Sequence, residues 1–391
     1  LGGTGAGNYT LAASTAQGAG SITAKQLNLA LTSGARFDKT YDGNANVTQT
    51  LTKRTNYSLT GFIGTEGTGI ALASSTGTYS DKNAAANKTV TFNGLTLTGT
   101  GAGNYTLDKT AFTGIGTIAP RALTLGAVAA QTKTYDGTTA ADASKFGAVL
   151  NNAITGDDVT AAATGAAYND KNVAAANAVN YTGVALRGAD AGNYTLAATT
   201  AHGAGTISRR TLTVDAVKEQ SKTYDGTTAA DTSKFHATLG NLVAGEEGSV
   251  TATAGGATYN SKDVRAANTV GYTGVQLTGT GAGNYSIANT AQGVGRITPK
   301  ELNLALTGSA RFDKTYDGNN RVEQSPAKGT NYSLTGFVTG EGTDIELSAV
   351  TGKYADKNAA ADKAVTFDGL TLTGTGAGNY TLNKTALTGT G

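Results

Sequence analysis

The sequence contains no cysteine, no methionine and no tryptophan, and only 3 of its 391 residues are proline. A chain without cysteine forms no disulfide, which suits a protein that crosses membranes unfolded, although cytosolic repeat proteins also lack cysteine. Few prolines beside 55 glycines, with no Gly-X-Y period, exclude collagen and proline-rich disorder. The absence of methionine leads us to expect part of a longer chain. The sequence has no run of 18 apolar residues, so it does not predict a membrane-spanning helix.

Charge and histidine are also sparse in ways that exclude functions. The 30 basic and 28 acidic residues are scattered and leave a net charge of +2, so the sequence does not predict nucleic acid binding. The only histidines, His202 and His236, occupy different positions within a repeating pattern. Neither serves a repeated mechanism, so we expect no enzyme, no cofactor and no metal centre.

What the chain does contain is repetition. The tetrad Ala-Gly-Asn-Tyr ends at Tyr9, Tyr105, Tyr194, Tyr285 and Tyr380, and Lys-Thr-Tyr-Asp-Gly begins at Lys39, Lys133, Lys222 and Lys314. The two motifs alternate, which indicates a unit of about 90 residues. We therefore expect an excerpt of a longer array, divided into the end of a preceding repeat (1–24), repeat one of type A (25–118), repeats two and three of type B (119–207 and 208–297) and repeat four of type A, truncated at its end (298–391).

Alternating apolar residues predict strands within each unit. Val90 and Phe92 precede Gly94, and Leu95 and Leu97 follow it, so the alternation slips by one residue at the glycine. We interpret Gly94 as a bulge or a sharp bend and favour a G1-type bulge with positive φ, repeated at Gly183, Gly274 and Gly369.

Further strands are predicted before and after the Gly94 segment. Each repeat is expected to have a small, thin core. In repeat one they cover 27–31, a short segment near Val47, 57–59, 70–72, 76–79, 105–107 and 115–118. Seven or eight short strands favour an all-β, Ig-like β-sandwich, with one helical turn expected within 142–150. A right-handed β-helix is the alternative, but no coil period of roughly 20 to 30 residues occurs inside the unit.

The connections between units have a constant spacing. The segments 22–27, 118–123, 207–212 and 297–302 each run from Ile to Leu without a Gly/Ser spacer. A linker of fixed, minimal length predicts one repeated geometry and an extended, semi-rigid rod.

These motifs resemble the YDG and MBG repeats of large bacterial surface proteins, especially filamentous-haemagglutinin-like adhesins of the two-partner secretion type. The resemblance rests on Lys-Thr-Tyr-Asp-Gly, on Tyr-x-Asp-Lys-Asn at 79–83, 168–172 and 354–358, and on the closing Ala-Gly-Asn-Tyr. It covers essentially the whole chain, but repeat three departs from it, with Ser261 in place of the Asp. The resemblance implies an exported, cell-surface or matrix protein, usually of a Gram-negative bacterium, and implies no ligand.

The recurring residues are interpreted as structural. They are Lys39, Tyr41, Asp42, Gly43, Tyr79, Asp81, Lys82, Gly94, Gly103, Asn104 and Tyr105. Asp42-Gly43 is typical of a turn, and Asn104 of a turn before a core tyrosine. Two chemical alternatives stay open, calcium bound at Asp42 and an isopeptide bond from Lys39 or Lys82 to Asn104.

The sequence therefore predicts a structural stalk within an exported adhesin that mediates attachment, aggregation or biofilm. The alternative is a multivalent array that binds exopolysaccharide or host glycans through some of the 17 tyrosines. In both cases the partners expected inside this segment are the neighbouring repeats of the same chain.

Overall fold

The computed structural model describes residues 1–308 and 310–391. These residues form short strands and single turns of 3-10 helix, and within them there is no α-helix. No helix in this part of the chain has the length and apolar character to span a membrane. The sheets are small and mostly antiparallel, which confirms the tandem β-sandwich and not the β-helix.

Repeat one contains nine strands in chain order. They are β1 (Lys25–Leu31), β2 (Lys39–Thr40), β3 (Tyr57–Thr60), β4 (Ala71–Leu72), β5 (Thr78–Tyr79), β6 (Ala85–Phe92), β7 (Leu97–Thr98), β8 (Tyr105–Leu107) and β9 (Phe112–Ala119). Single 3-10 turns lie at Ala6–Asn8, Glu66–Thr68 and Ala102–Asn104.

Two sheets and a strand pair enclose the core of repeat one. The first sheet has the order β3-β1-β8, with β1 antiparallel to β3 and parallel to β8. The second has the order β2-β9-β6-β5, and β4 pairs with β7. The inward residues of both sheets and of the segments beside them are fully or almost fully buried: Leu29, Phe37, Tyr57, Leu59, Tyr79, Val90, Phe92, Leu95, Phe112 and Ile118.

The later repeats have corresponding strands. Those of repeat two are Arg121–Val128, Gln131–Thr134, Ala148–Asn151, Thr160–Ala162, Gly165–Tyr168, Ala178–Thr182, Ala185–Arg187, Tyr194–Leu196 and Thr200–Ser208. Those of repeat three are Arg210–Thr211, Thr213–Val217, Gln220–Thr223, Ala237–Gly240, Thr251–Thr253, Gly256–Tyr259, Thr269–Thr273, Gln276–Thr278, Tyr285–Ser286 and Thr290–Thr298. Those of repeat four are Lys300–Leu306, Tyr332–Thr335, Glu346–Leu347, Lys353–Tyr354, Ala364–Asp368, Leu372–Thr373, Tyr380–Leu382 and Ala386–Thr390.

The 3-10 turns recur as well. The Ala-Gly-Asn triplet forms one in each repeat, at Ala191–Asn193, Ala282–Asn284 and Ala377–Asn379 after the copies at Ala6–Asn8 and Ala102–Asn104. The type B repeats add Ala143–Lys145 and Thr232–Lys234. The first of these is the helical turn predicted within 142–150, and the Asp142 carboxylate caps it by accepting from the Ser144 amide.

Gly94 has the expected positive φ, 63°, and it forms the sharp bend, so the favoured G1-type bulge is wrong and its alternative is right. Strand β6 ends at Phe92, and the chain bends and enters β7, which pairs with β4 instead of β9. Leu95 is buried directly after the bend and Leu97 is half-buried, so the slip in the sequence pattern marks a change of sheet. A true irregularity in the β6–β9 ladder lies earlier, between Ala85 and Lys88.

One strand was not predicted. Lys39 and Thr40, which belong to the turn motif, pair in parallel with Ile118 and Ala119 at the end of β9. The equivalent residues of repeat three, Gln220–Thr223, pair in parallel with 295–298. The motif is therefore fixed to the last strand of its own repeat.

The chain divides into two compact units. The first contains 1–131, 140–168 and 178–205, and the second contains 132–139, 169–177 and 206–391. Two loops of repeat two, 132–139 and 169–177, therefore pack within the unit that holds repeats three and four.

Replacing Gly94 by Ala should destabilise repeat one by about 1 to 2 kcal/mol, since an L-residue is strained at this φ although no atom lies within 4 Å of the new Cβ. The matched control is Gly69→Ala, where φ is −96° and the space is equally open. Native-state hydrogen exchange of the β6 and β9 amides measures the change in this repeat alone. Equal effects of the two substitutions would contradict the backbone explanation.

Candidate functional site

The Lys-Thr-Tyr-Asp-Gly turn is built around the lysine ammonium. Lys39 Nζ donates to Asp42 Oδ1 at 2.7 Å and to the carbonyl oxygens of Asn44 and Asn46 at 2.8 Å. The lysine side chain is only 3% exposed. Burial raises the pKa of Asp42, but the hydrogen bonds from Lys39 and the Asn44 amide outweigh it and hold that pKa below its usual value.

This arrangement does not favour the calcium site considered at Asp42. The oxygens that would serve as ligands already surround a positive charge from the same turn. Lys133, Lys222 and Lys314 each bind the corresponding aspartate, Asp136, Asp225 or Asp317, at 2.7 Å. In each copy the lysine ammonium fixes the turn. It thereby positions the tyrosine that lies between the lysine and the aspartate in the sequence.

Tyr41 does not anchor its own repeat alone; it enters the junction with repeat two. Its ring is fully buried, and its hydroxyl donates to Asp157 Oδ2 at 2.8 Å. The same oxygen accepts from the Tyr194 hydroxyl at 2.6 Å. One carboxylate of repeat two thus holds two tyrosines, one from each repeat, and we call this arrangement the tyrosine clamp.

The tyrosine clamp recurs at both later junctions. Glu246 accepts from Tyr135 at 2.5 Å and from Tyr285 at 2.7 Å. Glu341 accepts from Tyr224 at 2.8 Å and from Tyr380 at 2.6 Å. The longer glutamate side chain receives the two hydroxyls on separate oxygens, whereas aspartate receives both on one.

Ring contacts accompany the clamp. The paired tyrosine rings lie edge to face, with centroids 5.3, 5.3 and 5.4 Å apart at the three junctions. Such pairs contribute about 0.5 to 1.5 kcal/mol beyond their buried area. The Tyr194 hydroxyl also accepts from the Ile154 amide at 3.0 Å, which ties the clamp to the loop that carries the carboxylate.

A close apolar contact lies beside each clamp. The Cγ2 of Ile154 is 3.0 Å from the point where a side chain on Gly43 would begin. Val243 faces Gly137 and Val338 faces Gly226 in the same way, at 2.8 and 2.9 Å. The glycine of the motif is therefore required for two reasons. Its φ is positive, and the next repeat fills the space that a side chain would occupy.

The tetrad asparagine binds the preceding repeat. Asn193 Oδ1 accepts from the Ala84 amide at 2.8 Å, and Asn284 and Asn379 accept equally from the Val173 and Val264 amides at 2.9 Å. All three asparagines are buried. They contact the loop that contains Tyr-x-Asp-Lys-Asn, so both recurring motifs of one repeat meet the tetrad of the next.

That loop keeps its shape where repeat three departs from the motif. Asp81 and Asp170 accept from the amides of Asn83 and Asn172 two residues later. In repeat three the Ser261 hydroxyl accepts from the Asp263 amide at 3.1 Å instead. Serine therefore supplies the same turn, and the aspartate is not required in every repeat.

Lysines of this loop add charge to the clamp. Lys82 Nζ lies 3.4 Å from Asp157 and 3.6 Å from Asp190, and Lys262 lies 3.6 Å from Glu341. Burial raises the pKa of Asp157 and of Glu341, but the hydrogen bonds from their two tyrosines, together with these lysines, hold both pKa values below the usual range. The carboxylates of both clamps are ionised at neutral pH.

Repeats one and four carry half of a clamp each. In repeat one Tyr105 is buried and donates to Glu66, and its hydroxyl accepts from the Ile63 amide at 3.2 Å. In repeat four Tyr316, the counterpart of Tyr41, is 61% exposed. The tyrosine of the turn is thus buried where a clamp forms and exposed where none does.

The structure places the predicted residues in different parts of the repeat. Lys39, Tyr41, Asp42, Gly43, Asp81 and Lys82 lie in the two loops that meet the next repeat, while Tyr79 lies in the core and donates to the Phe37 carbonyl. Gly103 and Asn104 are exposed, and nothing in the structure explains the glycine at 103. The bonds of Lys39 and Lys82 are to Asp42, Asn44, Asn46, Asp157 and Asp190, not to Asn104.

The carboxylate of the clamp was not among the predicted residues. It occurs once in each repeat, three residues after a β-branched residue: Ile63 and Glu66, Ile154 and Asp157, Val243 and Glu246, Val338 and Glu341. Alignment of the four repeats by position, allowing Asp and Glu to exchange, would have revealed it.

All four repeats match one known protein family. A family model described as the YDG domain matches residues 23–112, 119–201, 208–292 and 298–387. The chain belongs to the YDG domain family. Curated proteins give no match. Among solved structures, the extracellular domain of protocadherin GammaB4 is 10% identical, over 69% of this chain and 45% of that one, with a TM-score of 0.20, which carries no argument.

Removing one hydroxyl from a clamp should destabilise the junction. Tyr41→Phe deletes a hydrogen bond to a carboxylate and should cost about 1.5 to 3 kcal/mol, visible by calorimetry as a lower melting temperature. The matched control is Tyr316→Phe, at the same position of a repeat whose tyrosine is exposed. A comparable loss in both variants would show that the hydroxyl acts inside its own repeat.

The clamps also predict the pH range of stability. Because the pKa of Asp157 and Glu341 is lowered in the folded chain, their contribution is complete above about pH 5, beyond the ordinary pKa of both side chains, and is lost as the pH falls through the lowered values. Burial and the clamp carboxylates raise the pKa of Tyr194 and Tyr380 to about 12, so that contribution is complete below pH 10 and is lost between about pH 10 and 12.

Melting temperature against pH measures both limbs. The double variant Asp157→Asn, Glu341→Gln should flatten the acid limb. An unchanged acid limb in that variant would assign the acid loss to other carboxylates.

Proposed function

We propose that this YDG array is a non-catalytic spacer in an exported adhesin of the filamentous-haemagglutinin-like type, at the surface of a Gram-negative bacterium. Its task is to hold a more distal region away from the cell or to link components of a biofilm matrix. The observation that carries the proposal is the junction, which is built three times from equivalent positions.

The connectors support a spacer role. A single residue, Pro120, Arg209 or Pro299, separates the last strand of one repeat from the first strand of the next. A one-residue connector beside a clamp, a buried amide contact and an apolar contact leaves little freedom for a hinge. A spacer needs stiff junctions, because bending at every junction would shorten it.

The cysteine-free composition supports export. The lysine-centred turns and the tyrosine clamps fix the loops with non-covalent bonds alone, so folding outside the cell needs no oxidation step. Every stabilising contact described here also lies within one repeat or between successive repeats, which suits a chain that folds unit by unit.

The glycan-binding alternative has less support. It requires exposed aromatic side chains at the same position of several repeats. Within the described residues, the exposed aromatics are Tyr9 and Tyr316, which belong to different motifs. The other recurring tyrosines lie in cores or clamps.

Small-angle scattering tests the spacer role directly. A chain containing two repeats and the full chain should differ in maximum dimension by about 30 to 45 Å for each added repeat, the length of a sandwich of short strands with its loops. The reason is that each junction repeats one geometry. A maximum dimension that grows only as the cube root of chain length would refute the spacer. The same samples on a glycan array test the alternative.

A further inference from the structure

At the first junction, the loop lysine lies between two carboxylates of the following repeat. Lys82 Nζ is 3.4 Å from the clamp carboxylate of Asp157 and 3.6 Å from Asp190. Asp190 is held in place, because its Oδ2 accepts from the Asp158 amide at 3.0 Å. It directly precedes an Ala-Gly-Asn triplet, at a position where every other copy of the tetrad has glycine. The second carboxylate is therefore particular to this junction.

At the second junction the same position is Gly281, which supplies no carboxylate. The backbone is equivalent, with φ and ψ of −90° and −8° at Gly281 and of −95° and 3° at Asp190. A Cβ on Gly281 would lie 3.6 Å from Glu246 Oε2 and from Ser249 Oγ, so a side chain there would extend beside the clamp carboxylate. The loop lysine, Lys171, is exposed and has no hydrogen-bond or ion-pair partner among the described residues.

A cleft lies where that second carboxylate would be. Its volume is about 260 Å³, close to the lower end of the roughly 300 to 1,000 Å³ that ligand sites occupy. Lys171, Glu246 and Gly281 line it together, and every other described residue of the lining is polar, Ser249 and Thr280 among them. Such a lining offers hydrogen-bond partners to a hydroxyl-rich ligand and an ammonium to an acidic one.

The third junction has a larger cleft, about 770 Å³, but a more acidic one. Asp263 and Asp344 line it at positions that are asparagine and serine in the second junction, and Arg265 adds one cation. The two additional carboxylates outnumber the one additional cation, so an anion is less favoured there. The second junction is the better site for a ligand carboxylate.

We propose that the second junction binds the carboxylate of an acidic saccharide, a hexuronate, which pairs with Lys171 in the place that Asp190 takes at the first junction. The ligand thereby restores the arrangement of one ammonium between two carboxylates. The Ser249 and Thr280 hydroxyls line the same cleft and supply partners for those of the sugar. Recognition uses charge and hydrogen bonds, so it needs no exposed aromatic ring. The inference does not rest on the proposed function, because a spacer needs no ligand.

Titration of the 391-residue chain with tetragalacturonate, followed by NMR shifts of the backbone amides, tests this proposal. The amides of 280–284 should shift with a dissociation constant on the order of 1 mM, since one exposed ion pair and a few hydrogen bonds bind weakly. The fully methyl-esterified tetrasaccharide keeps the ring hydroxyls and removes the charge, and a tetraglutamate peptide keeps the charge without the ring hydroxyls. Each should bind more weakly by about tenfold or more.

Substitutions locate the site. Lys171→Ala removes the cation, and Gly281→Asp supplies from within the chain the carboxylate that the ligand would bring, so each should weaken binding by about tenfold or more. Lys218→Ala, at an exposed lysine outside the cleft, is the matched control and should bind like the unchanged chain. A Cβ at position 281 lies 3.0 Å from Val250 Cγ2, so Gly281→Ala controls for crowding and should keep its binding. Circular dichroism confirms beforehand that the variants are folded.

Several outcomes would overturn the proposal. They are an absence of shifts at 280–284, equal binding of the methyl ester or of the peptide, binding that survives Lys171→Ala or Gly281→Asp, and an equal loss in Gly281→Ala and Gly281→Asp. The scattering test of the spacer depends on none of these results. Failure of the saccharide site and failure of the spacer are therefore distinguishable.

Discussion

A carboxylate that accepts two tyrosine hydroxyls is the interaction on which the array depends. Alone, Asp157 or Glu341 would carry a desolvated charge between two apolar sandwiches, at a considerable cost. The two hydroxyls and a nearby lysine satisfy that charge, and the two tyrosine rings pack edge to face beside it. The lysine-centred turn positions the first tyrosine, the tetrad supplies the second, and the Ile154 amide ties the carboxylate loop to it.

The sequence was sufficient to predict what is local. The period follows from the motifs, the sandwich from alternation, and the positive φ at Gly94 from the one-residue slip. Prediction failed where the same local pattern has two physical outcomes. A slip at glycine suits a bulge within one ladder or a passage between two sheets, and only the pairing of Leu97 with Leu72 distinguishes them.

The tyrosine clamp could not be predicted from the sequence for a different reason. Tyr41 and Asp157 are 116 positions apart, so a reading confined to one repeat places the tyrosine in a core and the acid in a loop. Asn104 was interpreted as a turn residue on the same basis, and in repeat one it contacts no neighbour that would suggest more. The function of a residue in an array is visible only when two units are considered together.

The direction of the clamp has a consequence for the order in which the repeats fold. The turn tyrosine always comes from the earlier repeat, and the carboxylate and tetrad always come from the later one. A chain that emerges amino end first therefore folds each sandwich with its turn tyrosine in solvent, and the next sandwich covers that tyrosine when it forms. Growth leaves one uncovered tyrosine at a time, at the most recently folded unit, so the apolar surface exposed during production of the array stays constant however many repeats it contains.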